Sequence, residues 1–188
     1  LFSVALITYG LTVEPTASYW DAGEYISTSA KLQVGHPPGA PFFQMMGAVF
    51  SMFASNNESI AIAVNFLSVV SSAFVILFLF WSTTLFLKKI SKKNNFTNDT
   101  NILLSSSIGA LAFTFSDSFW FNAVETEVYA LAMLFLSATF WCGLRWEKDF
   151  DNKRGDKWLL LICFLIGLSF GVHFMAILTI PAIGMIYF

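Results

Sequence analysis

Residues 60–87, "IAIAVNFLSVVSSAFVILFLFWSTTLFL", contain no Asp, Glu, Lys or Arg. This run constrains the fold most, because a helix that crosses a bilayer needs roughly 20 predominantly apolar residues. The rest of the chain agrees: 56% of its 188 residues are hydrophobic and only 12% are charged, against about 25% charged in a soluble globular domain. The sequence therefore predicts an all-α polytopic membrane protein.

Apolar runs elsewhere in the chain predict further spans. The run 158–188 contains no charged residue and is too long for one ordinary span. "GLSFGVHF" and Pro181 favour two spans that meet in a turn near Gly171–His173, and one kinked helix is the alternative. Because the chain begins and ends inside apolar runs, we expect it to be the N-terminal part of a longer transmembrane protein. The six predicted spans are 1–13, 60–87, 102–120, 128–145, 158–172 and 174–188.

The ten basic residues predict the orientation of these spans. Four lie in the loop 88–101 and five lie in the loop 145–157, whereas Lys31 alone falls on the opposite side. Loops rich in Lys and Arg face the cytoplasm. The long loop 14–59 is therefore predicted to be the first outer loop. Within it, the apolar segment 40–54 is short for a span, so we expect a helix that lies in the interface or packs against the bundle.

The outer loop holds a group of charged residues, "WDAGEYISTSAKLQVGHPPGAP" at 20–41. If the segment is helical, Asp21, Glu24 and Lys31 share one face. Two carboxylates one turn apart near a low-dielectric boundary should have perturbed pKa values, which suits a general base or a site for a cation. The alternative is a solvated loop in which Lys31 contacts one of the carboxylates. The prolines that follow restrict the backbone and can hold His36 in one place, or they form an ordinary turn.

Two more outer connections carry residues of the same kind. Glu125 and Glu127 precede the span 128–145. For Glu125 a simple structural role is plausible, as a solvated carboxylate at a helix N-terminus, where the helix dipole favours negative charge. His173 falls in the turn between the last two predicted spans, and a structural role there is the alternative to a functional one. Because three outer connections carry acids or histidines, we expect a cavity that opens at the outer membrane surface.

Three segments carry a resemblance to a known family: "EPTASYWDAGEYISTSAKLQVGHPPGAPFF", "FTFSDSFWFNAVETEVYAL" and "GLSFGVHFMAILTIPA". They resemble the protein O-mannosyltransferase-like membrane glycosyltransferases of the C-type fold. The resemblance implies a C-type transmembrane bundle with interfacial helices in the first outer loop. It also implies inverting transfer of a mannose-like sugar from a polyprenyl-phosphate carrier to a hydroxyl acceptor, such as a protein Ser or Thr or a glycan.

The resemblance also implies roles for individual residues. Asp21 or Glu24 would be the catalytic base, and Glu127 would be a further catalytic acid residue. Lys31, His36 and His173 are the basic side chains on that face, and we assign them to the carrier phosphate. We predict no cofactor beyond the lipid-linked donor and no metal site. The carboxylates could nevertheless bind a divalent ion, so that alternative stays open. The expected partners are the donor, the acceptor and membrane lipid, with no nucleic acid.

The expected location is a bacterial inner membrane with the site facing the periplasm, or the endoplasmic reticulum with the site facing the lumen. Two other classes remain as alternatives. A transporter or channel would use the outer carboxylates as a relay, but transport sites usually lie near the bilayer midplane, and here the acidic residues flank the predicted spans and none lies mid-span. A membrane scaffold subunit would not need acids and histidines on three outer connections.

Overall fold

The structure is a computed structural model that describes residues 1–94, 98–150 and 155–187 of the chain. These residues form helices and connections, with no β-strand among them. The α-helices are α1 (Phe2–Leu11), α2 (Ala22–Lys31), α3 (Pro41–Ser51), α4 (Ile60–Asn94), α5 (Asp99–Thr114), α6 (Asp117–Val124), α7 (Val128–Lys148), α8 (Gly155–Ser169) and α9 (Thr179–Tyr187). Short 3₁₀ helices at Asn57–Ser59 and Phe174–Leu178 precede α4 and α9. The all-α prediction is confirmed for this part of the chain.

Helix α4 is the central element of the bundle. Its 35 residues correspond to a length of about 50 Å, and it contacts α1, α3, α5, α6 and α7. The 3₁₀ helix that leads into it, Asn57–Ser59, begins with a capping box, in which the Asn56 side chain accepts a hydrogen bond from the Ser59 N–H at 2.9 Å. Small buried residues, among them Ser68, Ser72 and Ala73, allow neighbouring helices to approach closely.

Two helical segments are long and apolar enough to cross a membrane, Asn57–Lys92 and Val128–Lys148. The predicted third span, 102–120, is not one straight helix. It divides into α5 and α6, which bend by 66° where Phe115 and Ser116 interrupt the helix, and the pair counts as a third span if it is taken together. The other predicted spans correspond to α1, α8 and α9, with 10, 15 and 9 residues. The count of six spans stays a prediction.

The predicted turn between the last two spans lies at the end of α8. Helix α8 ends at Ser169, and the N–H groups of Val172 and His173 donate to the Ser169 carbonyl at 2.9 and 2.7 Å. The last residue of the predicted final span, Phe188, and the basic residues Lys153 and Arg154 lie outside the described residues.

Helices α2 and α3 pack against the acidic end of the bundle. The Phe42 N–H donates to the Gly171 carbonyl at 2.7 Å, so α3 is joined by its backbone to the turn after α8. An apolar core lies beneath this junction and contains Tyr25, Phe43, Leu67, Leu131, Ala132, Phe135 and Ala176. The interfacial segment predicted at 40–54 is therefore a helix, Pro41–Ser51, that packs on the bundle.

The lysine-rich ends of α4 and α7 meet at the opposite end of the molecule. Lys89 of α4 forms an ion pair with Glu147 of α7. The two helices therefore run in the same direction, each from an end with acidic residues to an end with basic residues. This arrangement agrees with the predicted segregation of charge.

Candidate active site

A cavity of about 340 Å³ opens where four parts of the chain converge. They are α2, the proline segment (residues 35–41), the start of α7 and the turn after α8. Its polar lining consists of two carboxylates, two imidazoles and two phenols: Asp21, Glu127, His36, His173, Tyr25 and Tyr129. Four of these six were candidates from the sequence, and they come from three separate connections. The volume lies at the lower end of the roughly 300–1,000 Å³ that is usual for small-molecule sites.

Helix α2 begins immediately after Asp21, which occupies the N-cap position. The residue before it, Trp20, has a φ of +59°, a left-handed conformation that costs roughly 1–2 kcal/mol for a residue with a Cβ atom. Helix α2 ends at Lys31, its C-cap Leu32 is also left-handed, and the chain then returns through Gly39 at φ +78°. These turns bring the proline segment back beside the first turn of α2.

His36 is held by Glu24. One Glu24 carboxylate oxygen accepts the His36 backbone N–H at 2.6 Å, and the other lies 3.1 Å from His36 Nδ1. The backbone N–H and the imidazole hold the pKa of Glu24 below its usual range. The hydrogen bond to the Glu24 carboxylate raises the pKa of His36 above 6.5. The protonated form of His36 is therefore stabilised by Glu24.

Asp21 lies on the other side of the same imidazole. His36 Nε2 is 3.9 Å from Asp21 Oδ2, and the Asp21 side chain is about half exposed. Glu24 does not line the cavity, and both of its oxygens already have a partner in His36. Of the two carboxylates that the sequence left open as the base, Asp21 is the one that faces the cavity.

Glu127 is the buried carboxylate of the cavity, with 8% of its surface exposed. Burial, followed by the negative charges of Asp21 and Glu125, raises its pKa to about 7, while backbone N–H groups of Val128 and Asp21 offset part of the rise. Glu127 can therefore exchange a proton near neutral pH. The explanation of Glu125 as a solvated helix N-terminus is wrong, because that side chain is only 3% exposed and its burial raises its pKa.

Asn65 fixes the segment that carries Glu127. This side chain of α4 is 1% exposed, and its amide donates to the backbone carbonyls of Glu14 and Thr16 at 2.6 and 3.0 Å. The Thr126 hydroxyl donates to the Asn65 side-chain oxygen. One polar residue inside an apolar helix thus connects the start of the outer loop to the acidic segment before α7.

His173 lines the cavity from the turn after α8. Its ring contacts Tyr129, with 5.6 Å between the ring centroids. Its Nδ1 is buried and has no hydrogen-bond partner within the described part of the chain. A buried imidazole nitrogen without a partner is uncommon, because buried polar groups are usually hydrogen-bonded.

Lys31 does not line this cavity. It is the last residue of α2, about 15 Å along the helix axis from Asp21, and its side chain is exposed. The structure therefore does not bring Lys31 together with His36 and His173, the other two residues assigned to the carrier phosphate. The alternative in which Lys31 neutralises Asp21 or Glu24 is also not seen, because His36 takes that position.

Asp21, Glu24 and His36 form a group whose ligand atoms lie within 4.8 Å of one another. Oxygen and imidazole ligands at this spacing fit a divalent cation. In the structure, however, the imidazole Nδ1 and the Glu24 carboxylate are paired with each other. A cation bound here would have to replace that hydrogen bond.

Comparison with known proteins decides the family. Residues 21–188 match the family described as the protein O-mannosyl-transferase TMEM260 N-terminal domain. The chain belongs to this family. The TMEM260 match begins at Asp21, so it contains every residue of the cavity described above. The resemblance inferred from the sequence motifs is confirmed.

Two relatives carry the TMEM260 name. The chain is 30% identical over 157 residues to "Protein O-mannosyl-transferase tmem260" of Dictyostelium discoideum, covering 82% of this chain and 18% of the relative. It is 26% identical over 170 residues to "Protein O-mannosyl-transferase TMEM260" of Mus musculus, covering 90% of this chain and 22% of the relative. The chain thus spans about a fifth of these relatives. No solved structure matches it significantly.

Three residues of the site were not predicted from the sequence. Asn65 could have been found, because it is a polar side chain inside an otherwise apolar span and such residues are usually paired. Tyr25 and Tyr129 gave no comparable signal, since tyrosine is common at membrane interfaces. Only the convergence of α2, α7 and the turn after α8 shows that both line the cavity.

Proposed function

We propose that this chain forms the donor-side part of the active site of an inverting protein O-mannosyl-transferase with a C-type glycosyltransferase bundle. The enzyme would move a mannose-like sugar from a polyprenyl phosphate to a Ser or Thr hydroxyl. The single observation that carries the proposal is the cavity in which Asp21 and Glu127 face His36 and His173. Membership of the TMEM260 family supports the reaction class.

Asp21 would act as the base. As the acceptor oxygen attacks the anomeric carbon, the hydroxyl proton passes to the Asp21 carboxylate, and the bond between that carbon and the phosphate oxygen breaks. The bonding electrons leave with the phosphate, and attack from the opposite face inverts the configuration. A carboxylate placed for such a transfer contributes typically 10²–10⁴-fold to the rate.

His36 and His173 would stabilise the phosphate as it gains charge. Glu24 favours the protonated form of His36 and holds its ring, and the ring of His173, which also lines the cavity, would supply a second contact. Donors that are already oriented stabilise developing charge without reorganising. Lys31 is too distant for the role that the sequence assigned to it.

We place the site at the non-cytoplasmic face, which is the periplasmic face in a bacterium or the luminal face in a eukaryote. The segregation of basic residues supports this placement. A donor whose headgroup lies at that face can keep its lipid chain in the bilayer while the acceptor approaches from the aqueous side. The reaction proposed here needs no cofactor beyond the donor.

The proposal can be tested by a transfer assay on the purified full-length protein, with a polyprenyl-phosphate mannose and a Ser/Thr-containing peptide. We expect Asp21→Asn to lower the transfer rate by about 10²–10⁴-fold, because the amide keeps the size of the side chain but cannot accept the proton. Asp117→Asn is the matched control, since Asp117 is exposed on the same predicted face and lies outside the cavity.

Equal rates for Asp21→Asn and the parent protein would refute the role of Asp21. Absence of any mannosyl transfer, combined with ion or solute flux in reconstituted vesicles, would instead favour the transporter class. The melting temperature of each variant shows whether a loss of transfer reflects unfolding.

A further inference from the structure

Two adjoining cavities lie at the basic end of the molecule, far from the candidate active site. The first, which we call the basic pocket, has a volume of about 320 Å³ and lies between α4 and α7. Four lysines line it, Lys88, Lys89, Lys92 and Lys148. Apolar side chains of Leu85, Phe86 and Leu144 form the rest of its wall, with Glu147.

The lysines of the basic pocket are only partly neutralised. Lys88 lies 3.5 Å from Asp99, and Lys89 pairs with Glu147. Lys92 and Lys148 form no ion pair with any residue that the structure describes. Four lysines against two paired carboxylates leave an excess of two positive charges, so the pocket suits an anion.

An apolar cavity of about 420 Å³ adjoins the basic pocket. It lies between the same two helices, with Phe113 of α5 also in its wall, and Phe86 lines both cavities. The hydroxyls of Thr83 and Ser137 in its wall donate to carbonyls of their own helices, at 2.8 and 3.1 Å. The cavity therefore offers little to a polar occupant and suits a hydrocarbon chain.

The dimensions agree with one leaflet of a bilayer. The α4 residues of the apolar cavity run from Val75 to Leu87, about 18 Å along the helix axis. Half of a hydrocarbon core of about 30 Å is about 15 Å. The lysines stand at the end of this cavity where the predicted cytoplasmic headgroup region begins, and the cytoplasmic leaflet is the one that carries anionic lipids.

We propose that the two cavities together bind one anionic phospholipid of the lysine-side leaflet. Its phosphate lies among Lys88, Lys92 and Lys148, and one acyl chain enters the apolar cavity between α4 and α7. Such a lipid bridges the two longest helices of the described chain at the end where Lys89 and Glu147 already join them. This site is independent of the proposed transfer reaction.

Native mass spectrometry of the purified full-length protein, titrated with defined lipids in detergent, tests this site. We expect one dioleoyl phosphatidylglycerol to bind in preference to dioleoyl phosphatidylcholine. Lys92→Gln combined with Lys148→Gln should weaken that binding about tenfold or more, because each lysine near a membrane surface contributes to the attraction. Lys31→Gln combined with Lys157→Gln removes the same number of charges outside the pocket and should leave binding unchanged.

A second comparison separates the headgroup from the chain. Dihexanoyl phosphatidylglycerol carries the same headgroup but cannot fill the apolar cavity, so it should bind more weakly than the dioleoyl lipid. The proposal is overturned if phosphatidylglycerol has no advantage over phosphatidylcholine, or if both double variants bind equally. It is also overturned if the parent protein binds no lipid because another segment of the protein fills the cavities.

Discussion

His36 is the residue on which the interpretation of the outer loop depends. The sequence offered two carboxylates three residues apart as the base, Asp21 first and Glu24 as the second candidate. The structure distinguishes them, because Glu24 binds both the backbone and the ring of His36, whereas Asp21 lines the cavity. In the proposed reaction, this hydrogen-bond pattern supports Glu24 as a positioning residue and Asp21 as the base.

Replacing Glu24 with Gln should change the pH dependence of transfer. Without the carboxylate, the pKa of His36 returns toward 6.5, so the imidazolium is lost at a lower pH than in the parent protein. As the pH is raised, the transfer rate of Glu24→Gln should therefore begin to decline at a lower pH than the transfer rate of the parent protein. The pH profile of transfer measures this shift, and Glu58→Gln, exposed and outside the cavity, should reproduce the parent profile. An unshifted profile for Glu24→Gln would contradict the role of Glu24.

Glu127 should make the stability of the protein depend on pH. Its pKa is about 7 in the folded state and 4.5 as the ordinary value, so the folded state retains a proton that the unfolded chain has released. The free energy of unfolding should therefore fall as the pH rises from about 4.5 to about 7, and it should level off above that pH. Glu127→Gln removes this contribution, roughly 2–3 kcal/mol. Melting temperatures at pH 5 and pH 8 should differ less in Glu127→Gln than in the parent, and equal differences would contradict the raised pKa.

At the scale of elements, the cavity depends on the contact between α3 and the turn after α8. Gly171 permits this contact, because a Cβ atom there would lie 2.7 Å from Phe42 Cβ. The Gly171 carbonyl accepts the N–H groups of Phe42 and Phe43 at 2.7 and 3.3 Å. The same turn continues directly into His173, so the packing of α3 also sets the position of that ring.

Gly171→Ala should destabilise the fold by about 1–3 kcal/mol, because the added methyl group overpacks the junction. Gly167→Ala, four residues earlier within α8, is the control, since nothing lies within 4 Å of its Cβ position. We expect the control to be neutral or slightly stabilising, as alanine favours a helix over glycine. Thermal unfolding in detergent compares the two, and equal melting temperatures would show that the junction is not tight.

At the scale of the whole molecule, charge is divided between two ends. Asp21, Glu24 and Glu127 lie at the end where α7 begins, and Lys88, Lys92 and Lys148 lie where α4 and α7 end. The charge of each end predicts the side of the membrane on which it lies.

Cysteine labelling should show this orientation. In a variant without Cys142 and Cys163, a membrane-impermeant maleimide should modify Glu58→Cys in intact cells or sealed luminal-side-out vesicles. Lys92→Cys, at the other end of the same helical segment, should be modified only after permeabilisation. The reverse pattern would place the candidate active site on the cytoplasmic side.

The sequence alone determined the class of fold, the positions of the main apolar segments, the division of charge and the candidates Asp21, Glu24, His36, Glu127 and His173. Hydropathy and charge are properties of a local segment, so they can be summed along the chain without knowledge of its neighbours. A charged residue at the end of a span needs either solvent or a partner, which is why the acids and histidines stood out.

Only the tertiary structure decided which of these residues meet. It turned Glu24 toward His36, left Asp21 at the cavity, placed Lys31 at the far end of α2, and bent the predicted third span into α5 and α6. It also used Asn65 to hold the segment before α7. A hydrogen bond depends on the distance and direction between two atoms, and here those are set by how helices far apart in the chain pack together.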